Sequence, residues 1–222
     1  MEEDIHTNSS VPRIAVLVSG RGSNLEALIH AVKTQQLRAE IALVISSKSS
    51  ARALDIAKAA GIPCEIVSPA QYPSRKEEGL KIVELLQTCG AQLAVTAGYS
   101  RIFDPCVIEA FRLKIINIHP SLLPAFAGSM APGPQKRALE SGVKISGCTT
   151  HFITEDTDAG PIIAQRAVPV MNDDTVETLA DRILEAEHQL LPESVQMALD
   201  GRVTVEGNKT IVTSERSVYA GS

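Results

Sequence analysis

The sequence predicts an α/β fold in which helices cover a mostly parallel sheet. Apolar runs of roughly four to six residues alternate with longer segments of helical period, as expected for buried parallel strands joined by helices. The chain has 222 residues, of which 44% are hydrophobic and 21% charged, so it can bury one sizeable core. We therefore expect a single domain over residues 12–215, after a disordered polar tail at residues 1–11.

The first half of the chain alternates regularly between the two element types. Short apolar runs predict strands at residues 14–18, 41–46, 64–67 and 93–99. Segments of helical period predict helices at residues 24–33, 51–61 and 75–87. The second helix has a typical C-terminal stop, because Gly61 is followed two residues later by Pro63. This order is typical of parallel strands joined by helical crossovers.

The second half predicts a different layout. A strand at residues 114–119 stops at Pro120, and the loop that follows, residues 120–135, carries four prolines. Loops of this length in a compact domain are commonly functional. The remaining predicted elements are a short helix, two strands joined by an acidic loop, a long amphipathic helix and a hairpin, at residues 135–141, 148–153, 162–170, 175–199 and 202–212.

Charge and cysteine content argue against several classes of function. The formal net charge of −5 and the lack of a basic cluster disfavour a nucleic-acid partner. The four cysteines show no C-x-x-C spacing, so neither a zinc site nor a disulfide framework is expected. The N-terminus lacks a signal-peptide pattern, and no apolar run approaches the length of a membrane span. We expect a cytoplasmic protein with small-molecule substrates and no membrane partner.

A glycine-rich turn follows the first strand, in the sequence VLVSGRGSNL. Such a turn lets a phosphate approach the unpaired N–H groups of a helix N-terminus, and Ser23 or Asn24 is the expected N-cap. The dinucleotide fingerprint fails because Leu25 stands at its third glycine position, and the triphosphate-binding motif does not occur. A phosphate monoester is therefore favoured, with a tight connection that binds nothing as the alternative.

Two polar residues stand at the end of the strand at residues 114–119. Asn117 and His119 are two positions apart, so their side chains project to the same face at the carboxyl end of the strand. An amide beside an imidazole suits a reaction in which negative charge develops on a carbonyl oxygen. A histidine that is buried for structural reasons is the alternative.

The loop TEDTDAGP brings three carboxylates, Glu155, Asp156 and Asp158, between two predicted strands. Such a cluster is usually solvated or binds a cation. A buried carboxylate beside His119 would instead raise the pKa of the imidazole and keep it charged near neutral pH. Spacing alone does not decide which acid does so, or whether any does.

Four segments, in this order and at these separations, together resemble one family. VLVSGRGSNL, AGYSRIF, NIHPSLLP and HFITEDTDAGPII are similar to segments of the phosphoribosylglycinamide formyltransferases, and the likeness covers about residues 12–205. It implies a three-layer Rossmann-like formyltransferase fold, with a mostly parallel central sheet, an antiparallel C-terminal portion and a hairpin. It also implies transfer of a formyl group from 10-formyltetrahydrofolate to the amine of glycinamide ribonucleotide in purine biosynthesis, without a metal.

The resemblance also implies roles for individual residues. Asn117 and His119 match the pair that stabilises the oxyanion, with His119 as the general acid. Asp158 matches the acid that keeps this histidine protonated and organises the water that takes up the amine proton. The implied ribonucleotide ligands are Gly22, Ser23 and Asn24, whose backbone holds the phosphate, and Glu187, which bonds the ribose hydroxyls.

Folate binding is implied for a second set of residues. Residues 100–103 match the segment that grips the pterin through backbone groups, and residues 154–158 match a loop that closes over the same ring. Arg75 matches an arginine near the folate tail, although a surface charge at a helix start is the alternative. The full set is Arg75, Ser100, Arg101, Ile102, Phe103, Asn117, Thr154, Glu155 and Asp158.

The chain departs from the family pattern at two places. Leu184 stands where the family often has a lysine or glutamine that reaches the phosphate. The phosphate would then depend on the turn itself, or on a basic residue such as Arg21 or Lys48. The loop at residues 125–137 is longer and richer in proline than the usual form.

Other readings of the same motifs differ in the formyl acceptor. Water would make a formyltetrahydrofolate hydrolase, and methionyl-tRNA would make the initiator formyltransferase. We expect neither, because the hydrolase carries a domain before these motifs and the tRNA enzyme carries a C-terminal barrel. A binding module without chemistry is disfavoured, since Asn117, His119 and Asp158 are all present.

Overall fold

A computed structural model describes residues 11–213 and contains a seven-stranded mixed sheet. Its strands are β1 (Arg13–Val18), β2 (Glu40–Ser46), β3 (Cys64–Ile66), β4 (Leu93–Thr96), β5 (Ile115–His119), β6 (Ile145–Phe152) and β7 (Ile162–Pro169). Their order across the sheet is β3-β2-β1-β4-β5-β6-β7. Strands β1 to β5 pair in parallel, whereas β6 is antiparallel to both β5 and β7. A separate antiparallel hairpin is formed by β8 (Val203–Glu206) and β9 (Lys209–Val212).

Helices pack on both faces of this sheet and make three layers. They are α1 (Ser23–Lys33), α2 (Arg52–Ala59), α3 (Arg75–Thr88), α4 (Pro105–Ala110), α5 (Gly133–Glu140) and α6 (Val176–Leu199). Strand β1 is buried from Ile14 to Val18, and its side chains alternate between two hydrophobic clusters. Ile14 and Val16 face the cluster that contains α1, α2 and α6, while Ala15 and Leu17 face the cluster of α3 and α4. The predicted fold class is confirmed.

Several element boundaries differ from the sequence-based expectation. The strand expected at residues 93–99 ends at Thr96, because Gly98 adopts a left-handed conformation with φ of 69°. The helix expected at residues 135–141 begins earlier, at Gly133. Helix α4 was not predicted, although Asp104 caps it by accepting a hydrogen bond from the Cys106 N–H. Its six residues are too few to show a helical period.

Two expectations concern the ends of the chain and its compartment. The tail expected at residues 1–11 lies almost wholly outside the described residues, as do the last two residues of the expected domain. Among residues 11–213, no helix combines the length and apolar character needed to cross a lipid bilayer. The single domain and the cytoplasmic location stay predictions.

Candidate active site

A cleft of about 790 Å³ opens at the carboxyl ends of β1, β4 and β5. The strand order reverses between β1 and β4, and this is where open α/β sheets form ligand crevices. Every site residue predicted from the sequence lines the cleft except Arg75. The fold therefore brings together residues that lie more than 160 positions apart in the chain, such as Asn24 and Glu187.

The glycine turn forms one end of the cleft. Gly22 is the N-cap of α1 and has a left-handed φ of 87°. A Cβ there would lie 2.8 Å from the Ala53 Cα, so α2 packs directly against the turn and leaves room only for glycine. The expectation that Ser23 or Asn24 caps the helix was wrong, since Gly22 occupies that place without a side chain. The first N–H groups of α1 therefore remain free for an anion.

Asn24 and Glu187 join the turn to α6. The Asn24 Nδ2 donates a 2.8 Å hydrogen bond to the Glu187 Oε2, and both side chains are buried. Burial raises the pKa of Glu187 to about 7, while the bond from Asn24 and the charge of Arg21 act in the opposite direction. Arg21 also lines the cleft, as does Leu184, whereas Lys48 does not.

Asn117 is held in place by two neighbours. The Thr96 Oγ1 donates to the Asn117 Oδ1 at 2.7 Å, and the Asn117 Nδ2 lies 3.0 Å from the His151 Nε2. The His151 Nδ1 lies 3.0 Å from the Phe152 carbonyl oxygen, to which it can only donate. His151 Nε2 is then the acceptor of a neutral ring, in keeping with burial, which lowers the pKa of His151. One Asn117 N–H is used, and its second remains available to a ligand.

His119 and Asp158 form the acid–imidazole pair of the cleft. The His119 Nδ1 lies 3.4 Å from the Asp158 Oδ2, and both side chains are largely buried. The Gly128 N–H donates to the same Asp158 oxygen at 2.8 Å. Asp158 has a left-handed φ of 54°, a conformation that aspartate adopts more readily than most residues. Of the three acids in the loop, Asp158 is therefore the one beside the imidazole.

The charge state of His119 differs from the expectation that Asp158 keeps it protonated. Burial is the largest influence and lowers the pKa of His119, while the nearby Asp158 carboxylate opposes the shift without reversing it. In the free protein the ring is therefore mainly neutral near neutral pH. Its Nε2 is buried and has no partner among the described residues.

The segment at residues 99–103 forms the opposite wall. Tyr99 stacks on Phe103 with ring centroids 5.2 Å apart, and Ile102 is 62% exposed toward the cleft. The Arg101 Nη2 donates to the Glu78 Oε2 at 3.3 Å, and Glu78 is only 4% exposed. This segment offers an apolar surface, and the charge of Arg101 is already paired with Glu78. Ser100, Thr154 and Glu155 complete it.

Arg75 lies elsewhere. It begins α3, is about half exposed, and its Nε is 4.0 Å from the Asp104 Oδ2. This placement matches the alternative of a surface charge at a helix start. A contact with a folate tail stays a prediction.

Sequence reasoning missed Thr96, Glu78 and His151. His151 pairs directly with Asn117 in the antiparallel register of β5 and β6. A polar residue within an otherwise buried strand was the available signal, since His151 stands in CTTHFI just before the acidic loop. In the part of the chain that is described, no group of three or more histidine, cysteine or acidic residues has the arrangement of a metal site.

Comparison with known proteins places this geometry in a family. Residues 12–195 match the family model described as formyl transferase. The chain is 45% identical over 193 residues to the trifunctional purine biosynthetic protein adenosine-3 of Gallus gallus, with 87% of this chain and 19% of the relative covered. It is 38% identical over 187 residues to phosphoribosylglycinamide formyltransferase of Bacillus subtilis, with 84% of this chain and 94% of the relative covered.

Solved structures agree with the sequence comparisons. The crystal structure of glycinamide ribonucleotide transformylase 1 from Symbiobacterium toebii matches with a TM-score of 0.90 and 42% identity, and covers 96% of this chain and 99% of that one. The chain thus spans about a fifth of the trifunctional relative but nearly all of the bacterial ones. It belongs to the formyl transferase family, in the branch of the phosphoribosylglycinamide formyltransferases.

Proposed function

We propose that this chain transfers the formyl group of 10-formyltetrahydrofolate to the amine of glycinamide ribonucleotide. The products are formylglycinamide ribonucleotide and tetrahydrofolate, and the step belongs to purine biosynthesis. One observation carries the proposal: an amide, an imidazole and a carboxylate meet in a cleft that has a helix N-terminus at one end and an apolar wall at the other. The names of the relatives support the choice of substrates.

The ribonucleotide fits the end formed by the glycine turn. The free N–H groups of residues 22–24 and the positive end of the α1 dipole suit a phosphate monoester. Arg21 adds a positive charge at the same end, where Leu184 supplies none. Glu187 then accepts hydrogen bonds from the ribose hydroxyls, since only one of its oxygens is bonded, to Asn24.

The folate fits the opposite wall. Tyr99, Phe103 and the exposed Ile102 present apolar surface to a flat ring, and backbone groups of the same segment can bond its edge. Thr154 and Glu155 border this space from the acidic loop. These residues therefore fit a pterin, and binding it does not require a charged side chain to move into the cleft.

The reacting atoms then meet at Asn117 and His119. The amine nitrogen attacks the formyl carbon, a C–N bond forms, and the carbonyl electrons move onto oxygen. The second Asn117 N–H and a protonated His119 Nε2 both suit this oxyanion. When the oxyanion collapses, the bond from the formyl carbon to N10 breaks. N10 gains the proton that His119 holds, while the amine gives its proton to water beside Asp158, so the net proton count is unchanged.

Protonation of His119 is coupled to catalysis in this scheme. Burial keeps the ring mainly neutral in the free protein, but a negative oxygen forming beside Nε2 favours the imidazolium. Asp158 lies 3.4 Å from the Nδ1 and stabilises that cation from the other side. The charged form is therefore most stable when the oxyanion exists, which is the differential stabilisation that lowers a barrier.

The proposal is tested by following loss of the formyl group from 10-formyltetrahydrofolate by absorbance. Turnover should require the ribonucleotide, whose mass should rise by that of CO, because a formyl group replaces one amine hydrogen. His119→Ala should lower kcat by about a hundredfold or more, because general acid catalysis and oxyanion stabilisation are both lost. His30→Ala, on the exposed side of α1, is the matched control and should turn over normally. Equal deformylation with and without the ribonucleotide would indicate a hydrolase instead.

The cytoplasmic location and the lack of a nucleic-acid partner expected from the sequence remain part of this proposal. The acidic net charge supports the second, and the lack of a signal-peptide pattern supports the first.

A further inference from the structure

Buried polar atoms without a protein partner are concentrated in the cleft. Residues 11–213 contain eight such side chains, and six of them line the cleft, namely Asn24, Tyr99, Arg101, His119, Ser129 and Gln135. A buried polar atom without a hydrogen bond is destabilising, so native proteins keep few of them. Their gathering in one place indicates that a ligand supplies the missing partners.

Four of the six belong to segments that the proposed function already uses. Asn24 lies in the phosphate turn, His119 at the reacting centre, and Tyr99 and Arg101 on the folate wall. The other two, the Ser129 Oγ and the Gln135 Oε1, lie in the proline-rich region at residues 125–137. That region has no ligand contact in the proposed function.

This region is attached to the reacting centre at its start. The Gly128 N–H donates at 2.8 Å to the Asp158 Oδ2, which in turn lies 3.4 Å from the His119 Nδ1. Ser129 follows directly. A Cβ on Gly133 would lie only 3.1 Å from the Ser129 Cβ and Oγ, so the first turn of α5 packs against Ser129. Gln135 belongs to that turn and so shares a wall with the acid–imidazole pair.

The wall is braced from behind by α5. The Arg137 Nη1 donates at 3.0 Å to the Ala127 carbonyl oxygen, and its guanidinium lies 5.4 Å from the centre of the Phe126 ring. These contacts join the loop to the helix that carries Gln135. The segment that carries Gln135 is therefore anchored to the loop before it.

Gln135 has the chemistry of an amide receptor. The residue is 2% exposed, its Oε1 is buried and unpartnered, and it carries no charge. A neutral acceptor does not suit a phosphate, and the acceptor ribonucleotide carries an amide N–H next to the amine that reacts. We propose that the Gln135 Oε1 accepts a hydrogen bond from the amide that joins the ribose to the glycyl unit of the acceptor. This inference rests on the proposed function and adds a specificity-determining residue to it.

The test is Gln135→Leu, a change of similar size that removes the amide. In the complex it leaves the acceptor N–H without a partner, so kcat/KM for the ribonucleotide should fall about tenfold, mainly through KM. KM for 10-formyltetrahydrofolate and inhibition by ribose 5-phosphate, which lacks the amide, should stay unchanged. Tm should be equal or higher, because the free protein no longer buries an unpartnered polar atom.

Gln165→Leu is the matched control, and it should show the reverse pattern. The Gln165 Nε2 donates to the Leu123 carbonyl oxygen at 2.9 Å and to the Thr149 Oγ1 at 3.0 Å, outside the cleft lining. Its loss should lower Tm and leave KM for the ribonucleotide unchanged. A Gln135→Leu variant that lowers Tm, or that keeps the wild-type KM, would overturn the inference. Failure of the wild-type protein to transfer the formyl group would overturn the proposed function instead.

Discussion

The glycine-turn end of the cleft and its reacting centre are built in different ways. At the glycine-turn end, which we propose binds the ribonucleotide, one continuous segment of β1, turn and α1 leaves N–H groups free, and its shape follows from the backbone conformation at Gly22. At the reacting centre, side chains come from β4, β5, β6 and one loop, a second loop adds the Gly128 N–H, and these groups meet only through tertiary contacts. Binding a phosphate needs N–H groups that neighbouring residues supply, whereas the transfer needs an amide, an imidazole and a carboxylate at one point.

Asp158 at the reacting centre and Glu187 at the glycine-turn end also differ in their surroundings. Asp158 receives a backbone N–H and lies beside an imidazole, so its charge has partners. Glu187 is 6% exposed, and its one hydrogen bond comes from the neutral amide of Asn24. Its pKa is accordingly raised to about 7 by burial. Asp158 thus has partners that suit a negative charge, whereas Glu187 has no cationic partner in ion-pair contact among the described residues and its pKa is raised.

The largest effect is expected at the reacting centre, for Asp158→Asn. Asparagine tolerates the left-handed φ of 54° and can still accept from Gly128, so the loop should keep its shape. The negative charge that stabilises protonated His119 is lost, and kcat should fall by about a thousandfold with both KM values little changed. Steady-state kinetics with each substrate varied in turn measure this.

Asp173→Asn provides the control for that variant, because Asp173 is exposed and lies outside the cleft lining. Its kinetics should match those of the wild-type protein. Turnover of Asp158→Asn within a few-fold of wild type would show that the transfer does not depend on this carboxylate.

The second prediction concerns the effect of Glu187 on how stability depends on pH. Burial raises the pKa of Glu187 from 4.5 to about 7 in the folded protein. Between pH 4.5 and about 7, the carboxyl group is therefore protonated in the folded state but ionised in the unfolded state. The stability that this proton contributes is present below about pH 4.5 and is lost as pH rises through about 7. Relative to Glu187→Gln, the wild-type free energy of unfolding should therefore fall by about 3 kcal/mol between about pH 4 and pH 8.

Urea unfolding at several pH values measures this difference. Glu185→Gln, which changes an exposed acid two residues before Glu187 on α6, should keep the wild-type pH dependence. An equal slope in Glu187→Gln and the wild-type protein would show that Glu187 stays ionised when buried.

The ribonucleotide end can be weakened through its backbone. Gly22→Ala forces a Cβ to within 2.8 Å of the Ala53 Cα at a φ of 87° that alanine disfavours. The free energy of unfolding should fall by about 2 kcal/mol, and KM for the ribonucleotide should rise because the turn must shift. Gly20→Ala is the control for stability, since a Cβ there meets nothing within 4 Å and φ is not in the left-handed region. Equal unfolding curves for the two variants would contradict this account of the turn.

The contrast also explains how much was visible in the sequence. The phosphate turn and the pair Asn117 and His119 are local patterns, and the structure places all of them in the cleft. The choice among Glu155, Asp156 and Asp158 was not visible from spacing, because it depends on the left-handed Asp158 and on Gly128, thirty positions earlier. The family resemblance was needed to select it.

Supporting residues were missed for a related reason. His151 contacts Asn117 through the register of two antiparallel strands, which no periodicity specifies. Gln135 lies in the first turn of α5, and its burial follows from how that helix packs in the fold. The net direction of the His119 pKa was also missed, since it depends on how deeply the ring is buried. Local chemistry can be predicted from sequence, whereas burial and cross-strand contacts require the fold.

The smallest effect concerns the orientation of Asn117. Thr96→Val keeps the shape of the side chain but removes the hydroxyl that donates to the Asn117 Oδ1 at 2.7 Å. Asn117 can then rotate its amide, and the N–H aimed at the oxyanion is less well placed in the transition state. We expect kcat to fall about tenfold with KM unchanged, and Thr96→Ser to restore it because serine keeps the donor. A Thr96→Val variant with wild-type kcat would show that His151 alone orients the Asn117 amide. The antiparallel register of β5 and β6, which places His151 beside Asn117, would then be sufficient to position this N–H.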